Sequence, residues 1–130
     1  MKKEEEKAEK RKHSRFAVSG NAYAAYKNGL TKVGKIKDVS LGGLSFEYID
    51  EGYSTRQTGQ IDIFTSGKAF YLPRIPVQIV YDISNPYRDG EERPYFSTID
   101  MNRCGIRFGQ LNVDQTADLQ RFIRSFGKTA

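Results

Sequence analysis

From Phe16 onward the apolar side chains of this chain fall at every second position, in short runs separated by turn-forming residues. A period of two marks a strand with one buried face. Phe16 and Val18 open the series, and Ala22, Ala24 and Tyr26 continue it after Gly20-Asn21. Lys27-Asn28-Gly29 signals a reversal, because Asn-Gly tolerates the positive φ of a primed hairpin turn. A second strand is expected from about Leu30 to Val39, with Gly34 as its bulge. Leu44, Phe46 and Tyr48 alternate next, then Ile61 and Ile63, and a Ser66-Gly67 turn separates these from Phe70 and Leu72. Ile75, Val77, Ile79 and Tyr81 are expected to share one face of another strand, and Cys104, Ile106 and Phe108 one face of the last. Between them Ser84 to Pro94, SNPYRDGEERP, is a loop by composition, and Tyr95 to Ile99 reads as extended.

The period then changes. Leu119, Phe122, Ile123 and Phe126 follow the i, i+3, i+4, i+7 spacing of an amphipathic helix, predicted over about 112–126. Asn112 suits its N-cap, Asp114 the positive end of its dipole and Gly127 its C-cap. Many short strands followed by one helix give an all-β-dominated fold: a small antiparallel β-barrel or sandwich with a C-terminal α-helix.

Length bounds the organisation. At 130 residues the chain suits one domain, assigned to 10–130. The chain opens with KKEEEKAEKRKH, Lys2 to His13, which is almost wholly charged and has no apolar stripe, so 1–9, ahead of the domain, is expected to be a flexible charged arm and not a secretory signal. With no apolar run near the roughly 18 residues needed to cross a bilayer, membrane insertion is not expected. One cysteine allows no internal disulfide, consistent with a cytoplasmic location. The net charge of +5 favours an anionic partner without choosing one.

Few residues offer chemistry. His13 and Cys104 are the chain's one histidine and one cysteine, without metal-ligand spacing, and no phosphate-binding glycine loop is present. The expectation is therefore no enzyme, no metal and no cofactor. Two constellations remain. Arg11 and Arg15 stand four apart where the arm meets the first strand, and two guanidinium forks can converge on a phosphate or on the O6 and N7 edge of guanine. In DVSLGGLSF, Asp38, Ser40 and Gly43 have the spacing D-x-S-x-x-G. At period two, Asp38 and Ser40 would share a face; Asp can accept from guanine N1 and N2, and Gly43 permits close backbone approach or a φ other residues avoid. The same residues also favour a simple Asx or Ser turn, and on their own they leave both readings open.

Together the two stretches resemble the paired signature of the PilZ domain, the bacterial receptor module for cyclic di-GMP. Arg11 and Arg15 match its R-x-x-x-R; Asp38, Ser40 and Gly43 match its [D/N]-x-S-x-x-G; and CGIRFGQL, Cys104 to Leu111, is similar to the G-hydrophobic-x-F end of its last barrel strand. The resemblance implies a barrel of about six strands. It also implies a ligand, cyclic di-GMP, bound by Arg11, Arg15, Asp38, Ser40 and Gly43, with Lys10 and Lys12 as additional contacts. Binding would change the arm's conformation and alter an unidentified downstream protein in motility, pilus or exopolysaccharide systems. Two other readings are a ligand-independent PilZ-like interaction scaffold and a single-stranded nucleic-acid-binding barrel. The N-terminal concentration of charge speaks against the second, so no nucleic acid is expected.

Overall fold

The computed structural model describes residues 13–49, 57–67, 70–84 and 101–129. Its elements run β1 (Phe16–Val18), β2 (Ala22–Asn28), β3 (Leu30–Val39), β4 (Gly43–Ile49), β5 (Thr58–Thr65), β6 (Tyr71–Ser84), β7 (Met101–Phe108), α1 (Val113–Phe126) and β8 (Gly127–Thr129). Strands β2-β5-β6-β7-β4-β3 pair in that order, and β3 returns to β2 to close a six-stranded barrel. Every pairing is antiparallel. Two three-residue strands extend it. One edge of β3 serves β2 as far as Tyr23↔Lys35, then β1 at Ala17↔Asp38 and Phe16↔Val39. Strand β8 lies on the far side of β1.

The alternating residues fill the barrel. Ala22, Ala24, Tyr26, Ile36, Phe46, Ile61, Ile63 and Ile75 are all buried, and Leu119 and Phe122 of α1 cover the open end. Phe122 stacks on Phe126 at 5.2 Å and meets Phe70 edge-on at 5.9 Å. Asn112 accepts from the Gln115 backbone N–H at 2.7 Å while the Gln115 side chain accepts from the Asn112 N–H at 3.0 Å, a reciprocal cap that fixes where the helix begins.

Several expectations need correction. The bulge in β3 is not at Gly34 but between Ile36 and Asp38, where two residues of β3 advance against one of β4. Gly34 has a different role: a Cβ there would overlap the carbonyl oxygen of Glu47. Phe70-Leu72 and Ile75-Tyr81 do not mark two strands. Leu72 and the later run lie on one strand, β6, which passes through Pro73 with an extra residue and holds Arg74 at φ +59°. Tyr81 does not share the face of Ile75, Val77 and Ile79, because a bulge at Val80 turns it outward. Gly127 caps α1 with an extended φ of −81°, so its smallness serves space and not a left-handed turn: a Cβ would meet the Ile123 carbonyl oxygen at 2.6 Å. Ser84, expected to open the loop, instead ends β6 opposite Asn102, and the rest of the segment expected as loop and extended chain, 85–99, lies outside the described residues.

Candidate functional site

The bulge between Ile36 and Asp38 creates the site. Strict alternation from Ile36 would aim Asp38 into the core; the extra residue turns it to the outer face, opposite Ser45. Ser45 in turn stands opposite Gly105 of β7, and Gly105 opposite Tyr81 of β6. Four strands thus present a cross-strand row of Asp38, Ser45, Gly105 and Tyr81. A Cβ on Gly105 would overlap the Tyr81 ring, so only glycine lets that ring lie across β7.

Beyond Asp38 the chain turns sharply. The Ser40 hydroxyl oxygen accepts from the backbone N–H of Gly42 at 3.0 Å and of Gly43 at 3.2 Å, and the Ser40 N–H donates to the Gly43 carbonyl at 2.8 Å. Ser40 is therefore buried within its own turn, the arrangement short hydroxyl side chains favour. Gly43 is dictated by close approach, since a Cβ would overlap the carbonyl oxygen of Ile106. The turn is anchored to β7 by the Phe108 N–H, which donates to the Gly42 carbonyl at 2.9 Å.

This turn and row border an open cleft of about 610 Å³, lined among others by His13, Arg15, Asp38, Ser40, Tyr81 and Arg107. Arg15 and His13 are exposed at its edge, immediately before β1 pairs with Asp38 and Val39. Four residues singled out by spacing, Arg15, Asp38, Ser40 and Gly43, therefore line one cleft, although 23 positions separate Arg15 from Asp38. Arg11, Lys10 and Lys12 lie outside the described residues.

Sequence reasoning missed the contribution of β6 and β7. Arg107 lines the cleft, its guanidinium donating to the Gln78 side chain at 2.6 Å. Arg103 Nη2 donates to Asp38 Oδ2 and to Ser45 Oγ at 3.2 and 3.3 Å. Their signal was present in the alternation: Arg103 precedes Cys104 and Arg107 stands between Ile106 and Phe108, so both take the parity opposite to the core residues and must point outward. Cys104 is buried in the core, where desolvation pushes its thiol up to about 12 with help from the charge of Asp82; at neutral pH it is protonated and not nucleophilic. No group of three or more metal-ligating side chains occurs among the described residues, and no helix among them is long and apolar enough to cross a membrane.

Residues 9–125 match the PilZ domain. The chain belongs to the PilZ domain family. Solved structures agree on the fold. A PilZ domain with c-di-GMP of YcgR from Escherichia coli superposes at a TM-score of 0.67 with 22% identity, covering 88% of this chain and 89% of that one. YcgR in complex with c-di-GMP gives 0.62 and 19%, with 88% and 45% coverage. The MrkH–c-di-GMP complex of K. pneumonia gives 0.65 and 15%, covering 88% of this chain and 50% of its own. This PilZ chain thus spans about half the length of the two longer proteins. No curated protein matches it significantly.

Proposed function

We propose that this PilZ domain is a receptor for cyclic di-GMP that carries out no reaction. One observation carries the reading: the fold brings Arg15, on one side, and Asp38, Ser40 and Gly43, on the other, to a single open cleft on the barrel wall. The chemistry suits a ligand with two phosphates and two guanines. Arg15 and Arg107 supply guanidinium forks for phosphate oxygens or the Hoogsteen edge of guanine. Asp38 supplies a carboxylate for guanine N1 and N2, and the turn at Ser40 holds that carboxylate's strand end in place. The similar structures of YcgR and MrkH are complexes with c-di-GMP, which supports the same ligand class here.

Arg11 completes the set, with Lys10 and Lys12 adding charge. Binding draws this segment onto the cleft beside β1 and changes the surface offered to a partner protein in motility, pilus or exopolysaccharide machinery. Calorimetric titration of the full chain with cyclic di-GMP tests the reading. A saturable heat is expected, with Arg11→Ala and Arg15→Ala each weakening binding about tenfold, the loss of one charge-assisted contact. No binding at tens of micromolar ligand would overturn it.

A further inference from the structure

The Arg103 guanidinium is placed where ordinary ion pairing does not require it. Its register partner across β4 is Glu47, the carboxylate that a neighbouring arginine would be expected to take. Instead Glu47 lies 3.9 Å from Lys37, and Arg103 reaches diagonally over Ser45 to Asp38, two strands away. In doing so it leaves its own Nε–H buried with no acceptor. Stability does not account for this choice. The pair is partly exposed, with Arg103 at 32% and Asp38 at 26%, and pairs in that setting stabilise weakly, while a buried donor without an acceptor carries a cost.

What the arrangement does secure is the direction of one carboxylate. Asp38 lines the cleft and Arg103 does not, so Arg103 stands behind it. Oδ2 is held by Arg103 Nη2 at 3.2 Å, and the Asp38 backbone is paired on both sides, with β1 and with β4, so the side chain is tied at both ends beside the cleft. Recognition of guanine by a carboxylate depends on such placement, because N1–H and the N2 amino group must meet their acceptor in the base plane.

We propose that Arg103 is a positioning residue that sets the cleft's selectivity for guanine by fixing Asp38 from behind. The inference rests on the cyclic di-GMP reading above and adds a residue outside the cleft to it. It is tested with the full chain and two probes, cyclic di-GMP and cyclic di-IMP, whose hypoxanthine bases lack the N2 amino group. Wild type binds the guanine ligand more tightly. Arg103→Met weakens that binding about tenfold, weakens the inosine ligand less because hypoxanthine keeps N1–H but has no N2 amino group to lose its acceptor, and so narrows the ratio between them. Arg103→Lys, which keeps a donor, restores part of the ratio. Asp38→Asn combined with Arg103→Met binds no worse than Asp38→Asn alone, because the arginine acts through the aspartate. An Arg103→Met protein with the wild-type ratio overturns the inference alone. So does equal weakening toward both ligands, or an additive double variant. Absence of wild-type binding to cyclic di-GMP overturns the receptor reading, and this inference with it.

Discussion

Asp62 shows how much one side chain can be asked to hold. It sits on β5 between the core residues Ile61 and Ile63, yet is itself buried on the outer side. There Oδ1 accepts from the Arg74 backbone N–H at 2.9 Å, and Oδ2 from Lys27 Nζ at 2.7 Å. Arg74 is the residue at φ +59°, a conformation that costs a non-glycine residue about 1–2 kcal/mol, so Asp62 stabilises the bulge of β6 where it is strained. Burial alone would push this carboxyl up. The Lys27 hydrogen bond, the Arg74 N–H and the two cationic charges outweigh it and bring it below the ordinary range. A folded value below the unfolded one, about 3.9, means a contribution that is complete above that pH and fades as pH falls through the folded value. Asp62→Asn is therefore expected to lower stability by about 1 kcal/mol at pH 7, nearer the low end for a charged hydrogen bond because Lys27 is half in solvent. Urea unfolding from pH 7 down to 2.5 should show the two proteins converging in acid. A gap that stays constant over that range would mean that charge at Asp62 is not what holds the bulge.

At the scale of elements, β6 and β7 make the outer wall of the cleft through one close contact, the Tyr81 ring over Gly105. Gly105→Ala has no room unless the ring moves. Overpacking of this kind costs about 1–3 kcal/mol, read as a lower urea midpoint at unchanged slope. The double variant Gly105→Ala/Tyr81→Ala should then cost less in total than Tyr81→Ala costs by itself plus that amount, since the clash has gone. Strict additivity would show that the ring and the glycine do not constrain one another. The same elements mark where the sequence could and could not be read. Barrel strands were legible because Ala22-Ala24-Tyr26, Leu44-Phe46-Tyr48 and Cys104-Ile106-Phe108 each obey one parity from end to end. The parity of Tyr81 was not, because the bulge at Val80 has no signature in its neighbours; it answers the closing of β6 on β7. Asp38 was found for its spacing, but the bulge that turns it outward was placed at Gly34. Arg103 went unnoticed because its partner is 65 residues away, on a strand that only the closed barrel brings near. Strand β8, three residues beginning with glycine, has no pattern long enough to read.

On the scale of the whole molecule, β1 is the joint between the cleft and the rest. It follows Arg15 directly, pairs on one side with Asp38 and Val39 of β3, and on the other with β8 at the end of α1. Ser19, just past β1, donates its backbone N–H to the Phe126 carbonyl at 2.9 Å, and Phe126 packs on Phe122 beneath the barrel. A ligand bridging Arg15 and Asp38 would therefore tie β1 to β3 at the same place where β1 holds the helix end. Such binding, confined to the folded state, adds RT ln(1 + [L]/Kd) to the unfolding free energy. At cyclic di-GMP equal to 100 times Kd this is about 2.7 kcal/mol, a rise in melting temperature on the order of 10 °C for a domain of this size. Arg15 is exposed, so Arg15→Ala should melt with wild type when no ligand is present. With binding about tenfold weaker, the same ligand concentration gives about 1.4 kcal/mol, roughly half the shift. Melting curves of both proteins across a ligand series check this without assuming a stoichiometry at the outset. A full-sized shift in Arg15→Ala would place the ligand away from this cleft, because stabilisation through β1 requires the arginine that precedes it.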